Sequence, residues 1–187
     1  MVKMELPNKR YKLILADPPW KYENGHTGRD MKHGVDDEYL TMSVEELKTF
    51  PISSISLDDS YLFMWVTSPL LPEGIEVFKS WGYEYKAALY WDKKTNGGLG
   101  HWLRGCVEIC LIGKKGNVPP IRGQYPNIIR QKISSHSRKP DKLYEIIEST
   151  HINPKIELFA REKREGWDAW GNQVPNHCQK LLTKVDA

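Results

Sequence analysis

Apolar and polar positions divide this chain into short buried runs and amphipathic stretches. The first run, Leu13 to Ala16, has no polar alternation and reads as a strand buried on both faces. It meets "DPPW", and a sheet interior cannot hold two prolines that lack the N–H of its ladder. The strand therefore stops at Asp17, with the carboxylate at its carboxyl end. Residues 20–40 are polar and glycine-rich, long enough for a functional loop. "SVEELKTF" opens a helix, with Ser43 and Glu46 at capping-box spacing. "SYLFMWVT" is a second buried strand. "LPEGIEVFKSWG" is a helix with Pro72 in its first turn, Leu71, Ile75 and Phe78 on one face, and Gly82 at its end. "YKAALYWDK" and "VEICLIGKKG" are two more strands, joined by the glycine-rich "TNGGLGHWLRG". After a long loop, "KPDKLYEIIEST" is a helix that turns Leu143, Ile146 and Ile147 to the core. "KIELFARE" is another strand and "WDAWGNQV" a short last element.

Strands alternating with helices predict an α/β sandwich around a largely parallel sheet. Ligands bind at the carboxyl edge of such sheets, so the acid, stiff turn and aromatic of residues 17–20 mark a candidate site. The 187 residues suffice for one substantial core, and a single domain over 1–187 is expected. Apolar content of 40% with 27% charged residues excludes disorder of the whole chain. Cys106, Cys110 and Cys178 lack paired spacing, and the start of the chain carries no apolar leader. No stretch reaches membrane-spanning length. The expected location is the cytoplasm, or the nucleus in a eukaryote, without a membrane partner. The histidines form no ligand pattern, so no metal is expected.

Charge changes the picture in one place. Between Glu108 and Asp141 there is no acid, while Lys114, Lys115, Arg122, Arg130, Lys132, Arg138 and Lys139 fall there. Tyr125, Gln124, Asn127 and Gln131 are interleaved with them, a mixture that suits a loop tracking phosphates and meeting bases. A solvated surface is the plainer alternative. The candidate nucleic-acid contacts are Tyr22, Lys114, Lys115, Arg122, Arg130, Lys132 and Arg138. Glu108, in an apolar strand, is either a structural acid or a pocket residue. Trp65, Trp81 and Trp91 are expected in the core, and His101 and Trp102 either meet substrate or pack within their loop.

The turn itself suits one chemistry. Adenine's exocyclic amine is a poor nucleophile because its lone pair is delocalised into the ring. The Asp17 carboxylate and the Pro18 carbonyl can accept its two hydrogens and favour the pyramidal form, while Trp20 holds the base by stacking. An electrophilic methyl in line at about 3–3.5 Å completes the reaction. No strong base is required, because the methylated amine becomes acidic. The alternative is a proline turn in which Asp17 caps local N–H groups and Trp20 fills the core.

In order along the chain, "ADPPW", "LFMWVT", "GHWLRGCVEICLIGKKG", "SRKPDKLYEIIE" and "KIELFAREKREGWDAWGNQV" resemble the MT-A family of adenine amino-methyltransferases. That family is named for the seventy-kilodalton subunit of the mRNA-methylating enzyme. The resemblance runs from about residue 11 to about residue 174 and leaves 175–187 as a tail. It implies a circularly permuted Rossmann-like methyltransferase fold, with helices flanking the sheet, and S-adenosylmethionine as cofactor. It assigns Asp17, Pro18, Pro19 and Trp20 to catalysis, Asp17 lying also near the cofactor's methionine end. Lys139, of the Lys-Pro-Asp motif, is implied at the cofactor carboxylate, just before a helix whose N-terminus favours an anion. Phe159 and Arg161 go to the nucleoside half, and Asn172 and Gln173 to its ribose and adenine.

This chain departs from some relatives where Glu162, Lys163 and Arg164 replace Pro-His-Asn, the residue types of two ribose contacts. Only ten residues precede Tyr11, fewer than the upstream segment of longer relatives, and "LFARE" is no Gly-x-Gly-x-x-Gly loop. The expected reaction is methyl transfer to the N(6) amine of adenine in DNA, on a single-stranded or flipped-out base. The same reaction on RNA is the alternative, and a non-catalytic nucleic-acid-binding partner subunit a further one. Methylation of a small molecule or a protein amide is disfavoured by the basic segment. A homodimer or a methyltransferase-like partner subunit is compatible with this reading.

Overall fold

The first apolar run forms β1 (Tyr11–Ala16), which is buried along its length apart from Lys12. It pairs in parallel with β2 (Ser56–Val66) on one side and β6 (Lys155–Leu158) on the other, which is why its sequence shows no alternation. The computed structural model describes residues 6–22, 41–95, 97, 102–121, 123, 125–134, 138–171 and 174. Four more strands complete the sheet: β3 (Glu84–Asp92), β4 (Val107–Lys115), β5 (Ile128–Arg130) and β7 (Asp168–Trp170), in the order β5-β3-β4-β2-β1-β6-β7. Only β4 runs against its neighbours, so four pairings are parallel and two antiparallel. The chain thus starts mid-sheet, builds one half from β2 to β5, and returns through β6 and β7 on the other side of β1. The reversal between β1 and β6 is a topological switch point. The architecture is the expected Rossmann-like methyltransferase fold, with the acid-bearing strand first and the β6–β7 half last.

Helices α1 (Val44–Lys48) and α2 (Leu71–Ser80) cover one face, where Leu47, Val77 and Phe78 pack on Ile14, Leu62, Met64 and Ile156. Helix α3 (Asp141–Glu148) covers the other, where Leu143, Ile146 and Ile147 meet Leu13, Leu15 and Phe63. The capping box is present: Ser43 N–H donates to Glu46 Oε2 at 2.8 Å, and Glu46 N–H to Ser43 Oγ at 3.2 Å. Helix α2 lies close on β2 because Gly74 faces Val66, where a Cβ would come within 2.5 Å of Val66 Cγ2. Trp65, Trp81 and Trp91 are buried as expected.

Two differences from the sequence reading concern strands. β2 starts four residues earlier, at Ser56 rather than Ser60, and β5 lies inside the stretch read as a long loop. β5 has only three residues and sits at the sheet edge, too short to show a period.

Strand direction places the site. The carboxyl ends of β1, β2, β3, β5, β6 and β7 open on one rim, and the reversed β4 adds its amino end there. Among the described residues no helix is long and apolar enough to cross a membrane.

Candidate active site

β1 ends at Ala16, so Asp17 is the first residue of the rim, its N–H donating to Leu158 O at 3.3 Å across the switch point. The following turn is pinned by its own backbone. Trp20 N–H donates to Pro18 O at 2.9 Å, and Met42 N–H to Pro19 O at 2.8 Å. Pro18 O keeps a second lone pair. The Asp17 carboxylate meets Lys139 Nζ at 3.0 Å, and the same ammonium donates to Glu108 Oε2 at 2.8 Å. Glu108 in turn meets Lys93 Nζ at 2.6 Å. Acid and base therefore alternate along Asp17, Lys139, Glu108 and Lys93, with no net charge. Lys139 stands 5.2 Å over the Trp65 ring and Lys93 5.8 Å over Trp91, and the two indoles meet edge to face.

The chain of charges tunes its members. Burial raises the pKa of Asp17, with Lys139 pulling against it. Burial also opposes the charges of Glu108 and Lys139, yet the opposite charges beside them prevail: Glu108 is held below its ordinary value and Lys139 above. Cys110 is buried, and desolvation pushes its thiol far up, so it packs as an apolar residue. The indole Nε1 of Trp65 is buried and has no hydrogen-bond partner among the described residues.

Other predicted residues fall in three groups. Tyr22 reaches this rim, its hydroxyl donating to Thr67 Oγ1 at 2.8 Å, and Arg130 and Lys132 are exposed at and after the end of β5. Phe159 follows β6 with a left-handed backbone, φ 60°, and packs on Phe50 and Trp170, while Arg161 is exposed two residues on. Arg122, Asn172 and Gln173 lie outside the described residues, as do His101 and most of the polar loop.

Three further expectations meet surroundings that the sequence does not disclose. Trp20 is only 8% exposed, its Nε1 donating to Trp65 O at 3.1 Å, so its indole walls the turn and offers no open stacking face. Lys114 and Lys115 end β4 opposite Ser60 and Tyr61, on the far rim from Asp17. Six residue steps of β2 lead from Ser60 to Val66, about 20 Å of strand, so one backbone track does not follow through both sites. Lys114 lines instead a mainly apolar cavity of about 530 Å³ over Phe63, Leu89 and Ile112, with no carboxylate among its described lining residues. Arg138 meets Asp141 at 3.4 Å and Glu162 at 3.8 Å, with its side chain 43% exposed.

A model of the MT-A70 family matches residues 11–173. The chain belongs to the MT-A70 family. It is 36% identical over 200 aligned residues to the type II methyltransferase M.MunI of Mycoplasma sp., covering 96% of this chain and 84% of that protein. It is 33% identical to the N(6)-adenosine-methyltransferase MT-A70-like protein of Drosophila melanogaster and 32% identical to the human N(6)-adenosine-methyltransferase catalytic subunit METTL3. Each of these two matches covers 88% of this chain, which spans 27% and 28% of the relatives' lengths.

In this MT-A70 chain the structure adds residues that the sequence reading left out or undecided. Glu108 joins the rim, and the signal was its acid in the otherwise apolar "VEICLIG". Lys93 had no signal, because only the antiparallel register that sets Trp91 opposite Glu108 brings it there. Glu157, on β6, accepts from Tyr144 OH at 2.8 Å, beneath the same rim.

Proposed function

We propose that this methyltransferase moves a methyl group from S-adenosylmethionine to the N(6) amine of adenine in DNA, with the target base unpaired or extruded. Asp17 carries the reading: a carboxylate stopped at the end of β1 by two prolines and held by Lys139 at 3.0 Å. It can accept one hydrogen of the amine and draw the lone pair out of the ring, while Pro18 O accepts the other. The cofactor supplies an electrophilic methyl group, so an N–C bond forms as an S–C bond breaks and the product amine sheds one proton. Burial raises the pKa of Asp17 and Lys139 opposes that rise, which is the direction the acceptor role requires.

The rim residues fit that cofactor. Its amino-acid end carries both charges beside a cationic sulfur, and the rim offers two ammonium groups and two carboxylates. Lys139 spends two of its three N–H groups on Asp17 and Glu108, leaving one for a carboxylate. Burial of an unpaired donor such as Trp65 Nε1 costs about 1–3 kcal/mol, which an acceptor on a bound molecule would offset. Phe159 and Arg161 would take the nucleoside half, with Asn172 and Gln173.

DNA is favoured because the match to the type II methyltransferase extends over most of both chains. The adenosine named in the longer relatives makes RNA the second reading. Incubation with methyl-labelled cofactor and either DNA or RNA, followed by nucleoside mass spectrometry, decides between them. Label in N(6)-methyldeoxyadenosine is expected. Label in N(6)-methyladenosine alone moves the substrate to RNA, and label in neither leaves the non-catalytic partner reading. Asp17→Asn should lower turnover by roughly two to three orders of magnitude while the melting temperature holds.

A further inference from the structure

The segment that replaces Pro-His-Asn is not idle. Arg164 Nη2 donates to Asp141 Oδ1 at 2.9 Å, and its guanidinium carbon lies 3.8 Å from the centre of the Tyr144 ring. Asp141 also accepts from Arg138, which meets Glu162 of the same segment. Farther along, Trp167 Nε1 donates to Glu148 Oε1 at 3.0 Å, so the segment grips α3 at both ends. Lys139 lies between Arg138 and Asp141 in the chain, with the rigid Pro140 beside it. Both flanks of the lysine are therefore tied to the segment that leaves β6. The charges alternate, Arg138, Asp141, Arg164 and Glu162, and Arg164 couples a charged hydrogen bond to aromatic stacking, a combination that lysine cannot reproduce.

We propose that Arg164 is a positioning residue: by holding Asp141 while stacked on Tyr144, it fixes the approach of Lys139 to Asp17 and Glu108, and so sets affinity for the amino-acid end of the cofactor. This rests on the reading of Lys139 as ligand of the cofactor carboxylate. Where the replaced residue types would touch the ribose, this chain ties the strand at the nucleoside half to the lysine at the methionine half. A residue engaged with Asp141 and Tyr144 then tunes binding of the methionine half.

Calorimetry with two ligands tests it: S-adenosylhomocysteine, which has the amino-acid end, and 5′-methylthioadenosine, which lacks it. Arg164→Ala should weaken S-adenosylhomocysteine roughly three- to thirtyfold, the range for a residue that acts through another, and leave 5′-methylthioadenosine unchanged. In a Lys139→Ala background the same substitution should cost nothing further. Asp141→Asn should show the same selectivity, which keeps the test open if Arg164→Ala does not fold, and Arg164→Lys should restore part of the affinity. Equal weakening of both ligands, or an undiminished loss without Lys139, overturns the positioning role. If the unaltered protein binds neither ligand, the cofactor reading itself fails and takes this role with it.

Discussion

Glu157 shows how one buried carboxyl ties the site to stability. Burial lifts its pKa from 4.5 to about 7, the negative charge of Asp17 adds to the effect, and Tyr144 and Arg164 oppose it. The folded chain therefore holds a proton that the unfolded chain releases near 4.5. Stability from the neutral carboxyl is complete below that value and is lost as pH rises to about 7. Glu157→Gln, uncharged at every pH and still able to accept from Tyr144, should match the parent protein in acid and melt higher above neutrality. Thermal melts across that range check it. At this scale the sequence disclosed Asp17 by its own chemistry, an acid stopped before two prolines, and Lys139 only through the resemblance carried by its Lys-Pro-Asp motif. Lys93 escaped it because an ion pair across two strands depends on their register, which no local pattern encodes.

Elements sort the basic segment that a linear reading joins. Lys114 and Lys115 close β4 on the far rim, and the chain then travels back before Arg130 and Lys132 appear on the rim of Asp17. Neutralising Arg130 and Lys132 together should lower the salt slope of nucleic-acid binding by about one to two units, whereas neutralising Lys114 and Lys115 should leave it unchanged. Binding titrations at several salt concentrations measure both. Packing between elements sets a second expectation. Gly74→Ala in α2 drives a methyl into Val66, a strand-end neighbour of the site, and should cost about 1–3 kcal/mol in denaturant unfolding. Most strands and the three helices among the described residues were legible because each carries a period or a continuous apolar run. β5 was not, since three residues at a sheet edge display neither.

At the scale of the whole molecule, the rim presents few groups that can read a base among the described residues. Tyr22, Trp102, Arg104, Arg130, Lys132 and Arg161 are exposed there beyond the charge chain, and backbone contacts by its basic members position a strand without reading it. A short or loose target motif is therefore expected, with unpaired adenine preferred because a stacked amine cannot reach Asp17. Methyl incorporation into single-stranded and duplex oligonucleotides of equal sequence tests this, and a strict long motif on intact duplex would assign recognition to a second subunit. The overall order of strands was legible only as a class, because alternating helices and strands imply a largely parallel sheet but not which strand runs backwards. That reversed strand is what brings Glu108 to the rim, and with it the pair of lysines.

Those lysines stand over two indoles that touch each other, Lys139 over Trp65 and Lys93 over Trp91. Indole emission responds to nearby charge, so the rim carries a light-emitting gauge of its own occupancy. A molecule that moves or neutralises either ammonium changes the colour or brightness of the protein itself. An emission titration of the unlabelled chain with S-adenosylhomocysteine checks this, and Trp91→Phe should remove the part of the response that comes from Lys93.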